Sequence, residues 1–151
     1  MEGKKKETLW AMVVSIAGCA YILFQTLGGA AAEKTIIDFL ITTTVVPAVV
    51  LVICGLLLGR KNKLMQSLPW LLLVSVIVFA ASAFSMTHLY QTGTVFEMLK
   101  NTQTADSITL EINETITLGT IVQQALICLV CACIGNGIGS KTVGILKKVK
   151  N

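Results

Sequence analysis

"IIDFLITTTVVPAVVLVICGLLLG", residues 36 to 59, decides the fold, because it carries one charged residue, Asp38, in a run otherwise built from apolar and hydroxyl side chains. A helix rises about 1.5 Å per residue, so about 20 residues cross the roughly 30 Å of a bilayer's hydrocarbon. This stretch exceeds that length. It is about twice as long as a membrane strand and lacks the alternation of apolar and polar residues that a barrel strand needs. A helix satisfies its own backbone hydrogen bonds in lipid, so the run reads as a transmembrane helix.

Three more runs of the same kind lie on either side of it. Leu9 to Gly29 precedes it across the short "AAAEKT", Leu68 to Tyr90 follows the basic linker "RKNKLMQS", and Gly119 to Gly139 comes last. The composition agrees: of 151 residues, 54% are hydrophobic and only 13% charged, far from the balance of a water-soluble domain. The expectation is an all-α integral membrane four-helix bundle, a single transmembrane domain over residues 1–151 with spans at about 9–29, 36–59, 68–90 and 119–139.

The charges give this bundle a direction. Lys4, Lys5, Lys6, Arg60, Lys61, Lys63, Lys141, Lys147, Lys148 and Lys150 fall on one side if all four runs span, and only Lys34 and Lys100 on the other. The positive-inside rule then puts both termini in the cytoplasm, of a plasma (cytoplasmic) membrane, with Trp10 and Trp70 as anchors at the inner interface. The net charge of +4 therefore conceals a basic inner face and an outer one bearing Glu33, Glu97, Asp106, Glu111 and Glu114. The basic face is read as a topology signal and not as a nucleic-acid site. Two other readings compete for the N-terminus: a cleavable signal peptide ending after Ala32, and a lipoprotein box at Ile16 to Cys19. The long apolar run, which stays apolar after Cys19, favours a retained helix.

Local signals refine the spans. Thr35 and Asp38 have the spacing of a capping box at the second helix, and Ser67 before Pro69 marks the start of the third. Pro47, just after three threonines, predicts a modest kink, its freed carbonyl met by a hydroxyl or a neighbouring helix. At 100° per residue, Thr44, Ala48, Gly55 and Gly59 share one face of the second helix. Cys128, Cys131, Gly135 and Gly139 share one of the fourth with Gln124, and Gly18 joins Ala11, Ser15 and Gln25 in the first. Small residues let helix backbones approach in lipid, where packing replaces the hydrophobic effect, so these stripes are expected to hold the bundle together.

No catalytic, cofactor-binding or metal-ligating set is legible. The three thiols of "CLVCAC" (128–133) lie in hydrocarbon with no charge nearby, and the one histidine, His88, belongs at the other end of the bundle. They read as packing residues. Gln25, Asp38, His88, Gln123 and Gln124 gather near the outer boundary as a possible polar cluster, at a depth where headgroups and water are the plainer explanation. In the outer loop, residues 91–118, "TVFEMLK" predicts a short amphipathic helix lying on the membrane and "SITLEINETI" an extended segment, with a glycosylation sequon at Asn113.

In layout alone the chain resembles tetraspan proteins, but the cysteine-glycine motif of tetraspanin outer loops is absent and no functional residue carries over. The expected function is that of a small non-enzymatic polytopic membrane protein, an accessory or assembly subunit that binds a membrane partner. The alternative is a small transporter or pore-forming subunit that homo-oligomerises through its glycine stripes, and a membrane enzyme ranks third. The partners expected are the lipid bilayer and another membrane protein or a second copy, with no cofactor.

Overall fold

A computed structural model describes residues 2–28, 33–60, 64–105 and 116–149, with side chains for 6–28, 33–60, 66–103 and 116–142. The chain is all-α over these residues. Its helices are α1 (Glu2–Leu27), α2 (Ile36–Gly59), α3 (Leu64–Gln91), the short α4 (Thr94–Ala105) and α5 (Leu118–Val149). The four long ones are each long and apolar enough to cross a membrane.

The pairing of levels fixes the topology. Ala11 on α1 lies beside Cys54 on α2, and Gly18 beside Val50, so these two helices run antiparallel. Cys19 meets Ile77 and Thr26 meets Ser85, so α1 and α3 run parallel, while α3 opposes α5 through Ser67 with Asn136 and Ser82 with Gln124. The result is an up-down-up-down bundle with the start of α1 and the end of α5 at one end. Ala11, Leu51, Cys54, Leu58, Val74, Val78, Cys128 and Ala132 fill its interior.

The helices outrun their apolar segments. α1 begins at Glu2 and not near Leu9, and α5 continues to Val149 and not Gly139, whereas the portions long and apolar enough to cross a membrane are Lys6–Leu27 and Leu118–Thr142. Hydropathy marks where hydrocarbon ends, but lysine, glutamate and leucine go on forming helix in water. The same effect moves the start of α3 back to Leu64 and leaves Pro69 inside it. Ser67 is therefore not a helix cap. It is fully buried and accepts a hydrogen bond from Asn136 Nδ2 at 3.0 Å.

At the opposite end, α4 folds back on the bundle. The turn that allows this is two residues long, Thr92 and Gly93, and Gly93 sits at φ +74°, a region that favours glycine. The apolar face of α4, expected to rest on the membrane, packs instead on protein: Val95 and Met98 bury themselves against Ile36, Phe39 and Leu89. Thr102 completes the contact, its hydroxyl accepting from the backbone N–H of Ile36 at 2.9 Å. That bond satisfies one of the amides that every helix start leaves free. The capping box of Thr35 and Asp38 serves the same turn, with Asp38 accepting from the Thr35 amide at 3.0 Å. The extended segment and the sequon expected within residues 107–116 fall, apart from Ile116, outside the described residues.

The closest packing lies between α2 and α5, which run parallel. Here the two glycine pairs of the sequence face one another. A Cβ at Gly55 would collide with the carbonyl oxygen of Ala132, one at Gly59 with that of Asn136, one at Gly135 with that of Val52, and one at Gly139 with that of Leu56. In each case the hydrogen that replaces the side chain points at a carbonyl, the arrangement of the weak Cα–H···O contacts that recur between close helices. Four such contacts, two from each helix, bring the backbones together over two turns.

This seam makes a specific demand. Gly135→Ala should cost about 1–3 kcal/mol of stability in detergent, the range for forcing a methyl into a filled site. Gly137→Ala should be neutral or stabilising by up to about 1 kcal/mol, because alanine is the better helix former and a Cβ at Gly137 meets nothing within 4 Å. Equal effects of the two substitutions in a thermal or denaturant titration would contradict the seam.

Candidate functional site: a buried polar network around a freed carbonyl

Proline has no N–H, so the carbonyl four residues before it loses its helical donor. Before Pro47 that residue is Thr43, and the helix widens there into a π turn over Ile41–Val45. In hydrocarbon an unpaired carbonyl costs several kcal/mol. Thr43 O is met by two donors from other helices: Ser82 Oγ on α3 at 2.6 Å and Gln124 Nε2 on α5 at 2.7 Å. Gln124 Nε2 also reaches Ser82 Oγ at 3.1 Å, closing a triangle. The modest kink expected at Pro47 is thus a π turn tied to two neighbouring helices.

A second pair extends this level to α1. Thr26 Oγ1 bonds Ser85 Oγ, one turn from Ser82, and also the carbonyl of Ile22 at 2.7 Å. All four long helices therefore contribute a polar group to one layer, and Thr26, Thr43, Ser82, Ser85 and Gln124 are all buried. The layer contains no ionisable group. Ser82 spends its proton on Thr43 O, and Gln124 Nε2 bonds both Thr43 O and Ser82. As it stands, the arrangement holds helices in register and offers no charge or open coordination position.

The five residues grouped near this boundary by sequence have separate partners. Gln25 accepts from Lys34 Nζ through its side-chain oxygen, and Asp38 is engaged by Thr35. His88 stacks on Phe84 with centroids 6.0 Å apart, Gln123 is exposed on α5, and only Gln124 enters the buried layer. Among the described residues no hydrogen bond joins any two of these five. The separation follows from helix geometry: neighbours in sequence such as Gln123 and Gln124 point 100° apart, so one faces the core and the other faces out.

The packing residues are distributed more narrowly than their stripes suggest. Gly55, Gly59, Gly135 and Gly139 form the seam, Gly18 takes the side chain of Val50, and Thr44 and Ala48 are half-buried on α2. Cys128 is buried in the core and Cys131 packs against it from the side, while Cys133 is exposed. All five cysteines are free thiols, and Cys54 Sγ donates to the carbonyl of Ala11 at 3.3 Å. Among the described residues no three of His, Cys, Asp or Glu come together as metal ligands would.

Sequence reasoning overlooked the third helix. Ser67, Ser75, Ser82 and Ser85 are all buried on one face of α3, a serine stripe spaced by eight, seven and three residues that a helical-wheel count would reveal. The partner of Thr43 was equally within reach, since counting four back from Pro47 names the carbonyl that must be satisfied. Comparison with known protein families, with curated proteins and with solved structures finds no match.

Two outcomes follow from the network and the thiols. Gln124→Leu should destabilise the bundle by about 1 kcal/mol, a usual value for one interhelical bond in lipid, and the loss should shrink in a Pro47→Ala background, where residue 47 regains an N–H for Thr43 O. A double-mutant cycle measures that coupling, and strict additivity would contradict the pairing. Replacing the exposed Cys133 with alanine should leave the thermal transition in detergent within about 0.5 kcal/mol of the parent, the range for substitutions away from a packed core.

Proposed function

We propose that this chain is a small non-enzymatic membrane protein that acts as an accessory or assembly subunit, offering its outer helix faces to another membrane protein. The observation that carries this reading is that its specific packing elements are consumed inside the chain. The glycines that would suit self-association lie in the seam between α2 and α5, and the buried polar layer is closed on itself. What remains outward are long apolar faces, including Ile16, Phe24, Val76, Leu126 and Val130, suited to lipid or to a partner's helices. No ionisable side chain lies in the buried layer, which favours this reading over a transporter that couples ions.

The orientation belongs to the same proposal. The basic end, with Lys6, Arg60 and Lys141 among its exposed residues, faces the cytoplasm of a plasma membrane and carries both termini. A cysteine introduced at Thr104 should react with a membrane-impermeant maleimide in intact cells, whereas one at Asn62 should not. Equal labelling would contradict the orientation.

Extraction in mild detergent followed by native mass determination tests the function itself. The expected result is a complex holding this chain with a second, different membrane protein at fixed stoichiometry. A homo-oligomer that conducts ions or solutes when reconstituted would instead support the pore-forming alternative, and a monomer with no companion would defeat both.

A further inference from the structure

Asn136 is the one large polar side chain in the bundle that is fully buried yet incompletely paired. Its Nδ2 donates to Ser67 Oγ at 3.0 Å, but its Oδ1 finds no donor among the described residues. A carbonyl left bare in an apolar interior costs about 1–3 kcal/mol. Ser75 Oγ is also buried without a partner, but a serine hydroxyl can turn to a carbonyl of its own helix, as Ser15 does to Met12 at 2.8 Å. Asn136 has no such escape. Oδ1 only accepts, and no protein donor reaches it.

The position of Asn136 indicates what supplies the proton. Its backbone lies against Gly59, the last residue of α2, and its side chain against Ser67, in the first turns of α3. It is therefore level with the helix ends, next to exposed Arg60 and Gln66, though covered from solvent. A small neutral donor can reach this depth from the membrane surface; a charged one would have to shed its hydration in a place with no countercharge.

We infer that Asn136 Oδ1, with Ser67 beside it, forms a binding site for an ordered water molecule drawn from the surface at the end that bears the chain termini. Water donates one hydrogen to the amide oxygen, and buried waters in proteins characteristically serve carbonyls of this kind. The site differs from the layer at Thr43 in one respect. There the Thr43 carbonyl takes both its donors from protein, and here the acceptor is served from outside.

Gln124 supplies the control, because its side-chain amide is also buried but already bonded to Thr43 O and Ser82. In lipid nanodiscs, water-edited solid-state NMR of the full chain should show magnetisation passing from water to the Asn136 side-chain amide several-fold faster than to that of Gln124. The comparison uses the unaltered sequence and so does not depend on a variant folding. Equal and slow transfer to both amides would overturn the inference, including the case in which the Asn136 amide is turned over and paired wholly within the protein.

Discussion

In hydrocarbon, a backbone carbonyl with no donor has nowhere to turn, and the bundle is arranged around one such group. Pro47 creates it at Thr43, where α2 widens into a π turn. The protons come from Ser82 and Gln124. A defect in one helix thereby dictates which residues the two helices beside it must present, and at what height. Register, which apolar side chains in lipid specify weakly, is fixed by this acceptor.

The other organising contact is its opposite in character. The seam between α2 and α5 contains no conventional hydrogen bond and depends on the absence of side chains at Gly55, Gly59, Gly135 and Gly139. Dispersion over close backbone surfaces is the attraction available there, since lipid competes for apolar side chains on equal terms. The two devices lie at different depths. The polar layer occupies the end near α4, and the seam runs toward the end that bears the termini, so each half of α5 is held to α2 by a different kind of force.

Much of this was legible in the sequence, and the reasons for the rest are physical. Four apolar runs gave four long helices, because length and hydropathy suffice to define a membrane segment. The stripes on the second and fourth spans, read separately, lie on the faces where those helices touch. The start of the third helix was misplaced, since hydropathy reports solvent and not hydrogen bonding, and Ser67 was read as a cap when it serves Asn136. The polar residues near the outer boundary follow a related rule: depth in the membrane can be read from sequence, but the direction a residue faces depends on the neighbours the helix finds. Gln124 and Gln123 share a depth and have opposite surroundings.

The parallel course of α2 and α5 also bears on how the chain is made. Ribosomal synthesis delivers helices in order, and two parallel neighbours need an intervening crossing before they can meet. Until α5 emerges, a nascent chain of three helices holds an open groove of bare backbone along Gly55 and Gly59, and a Thr43 carbonyl with only Ser82 to serve it. The last helix closes both at once. A chain truncated before that helix would leave bare the very surfaces that the finished bundle conceals.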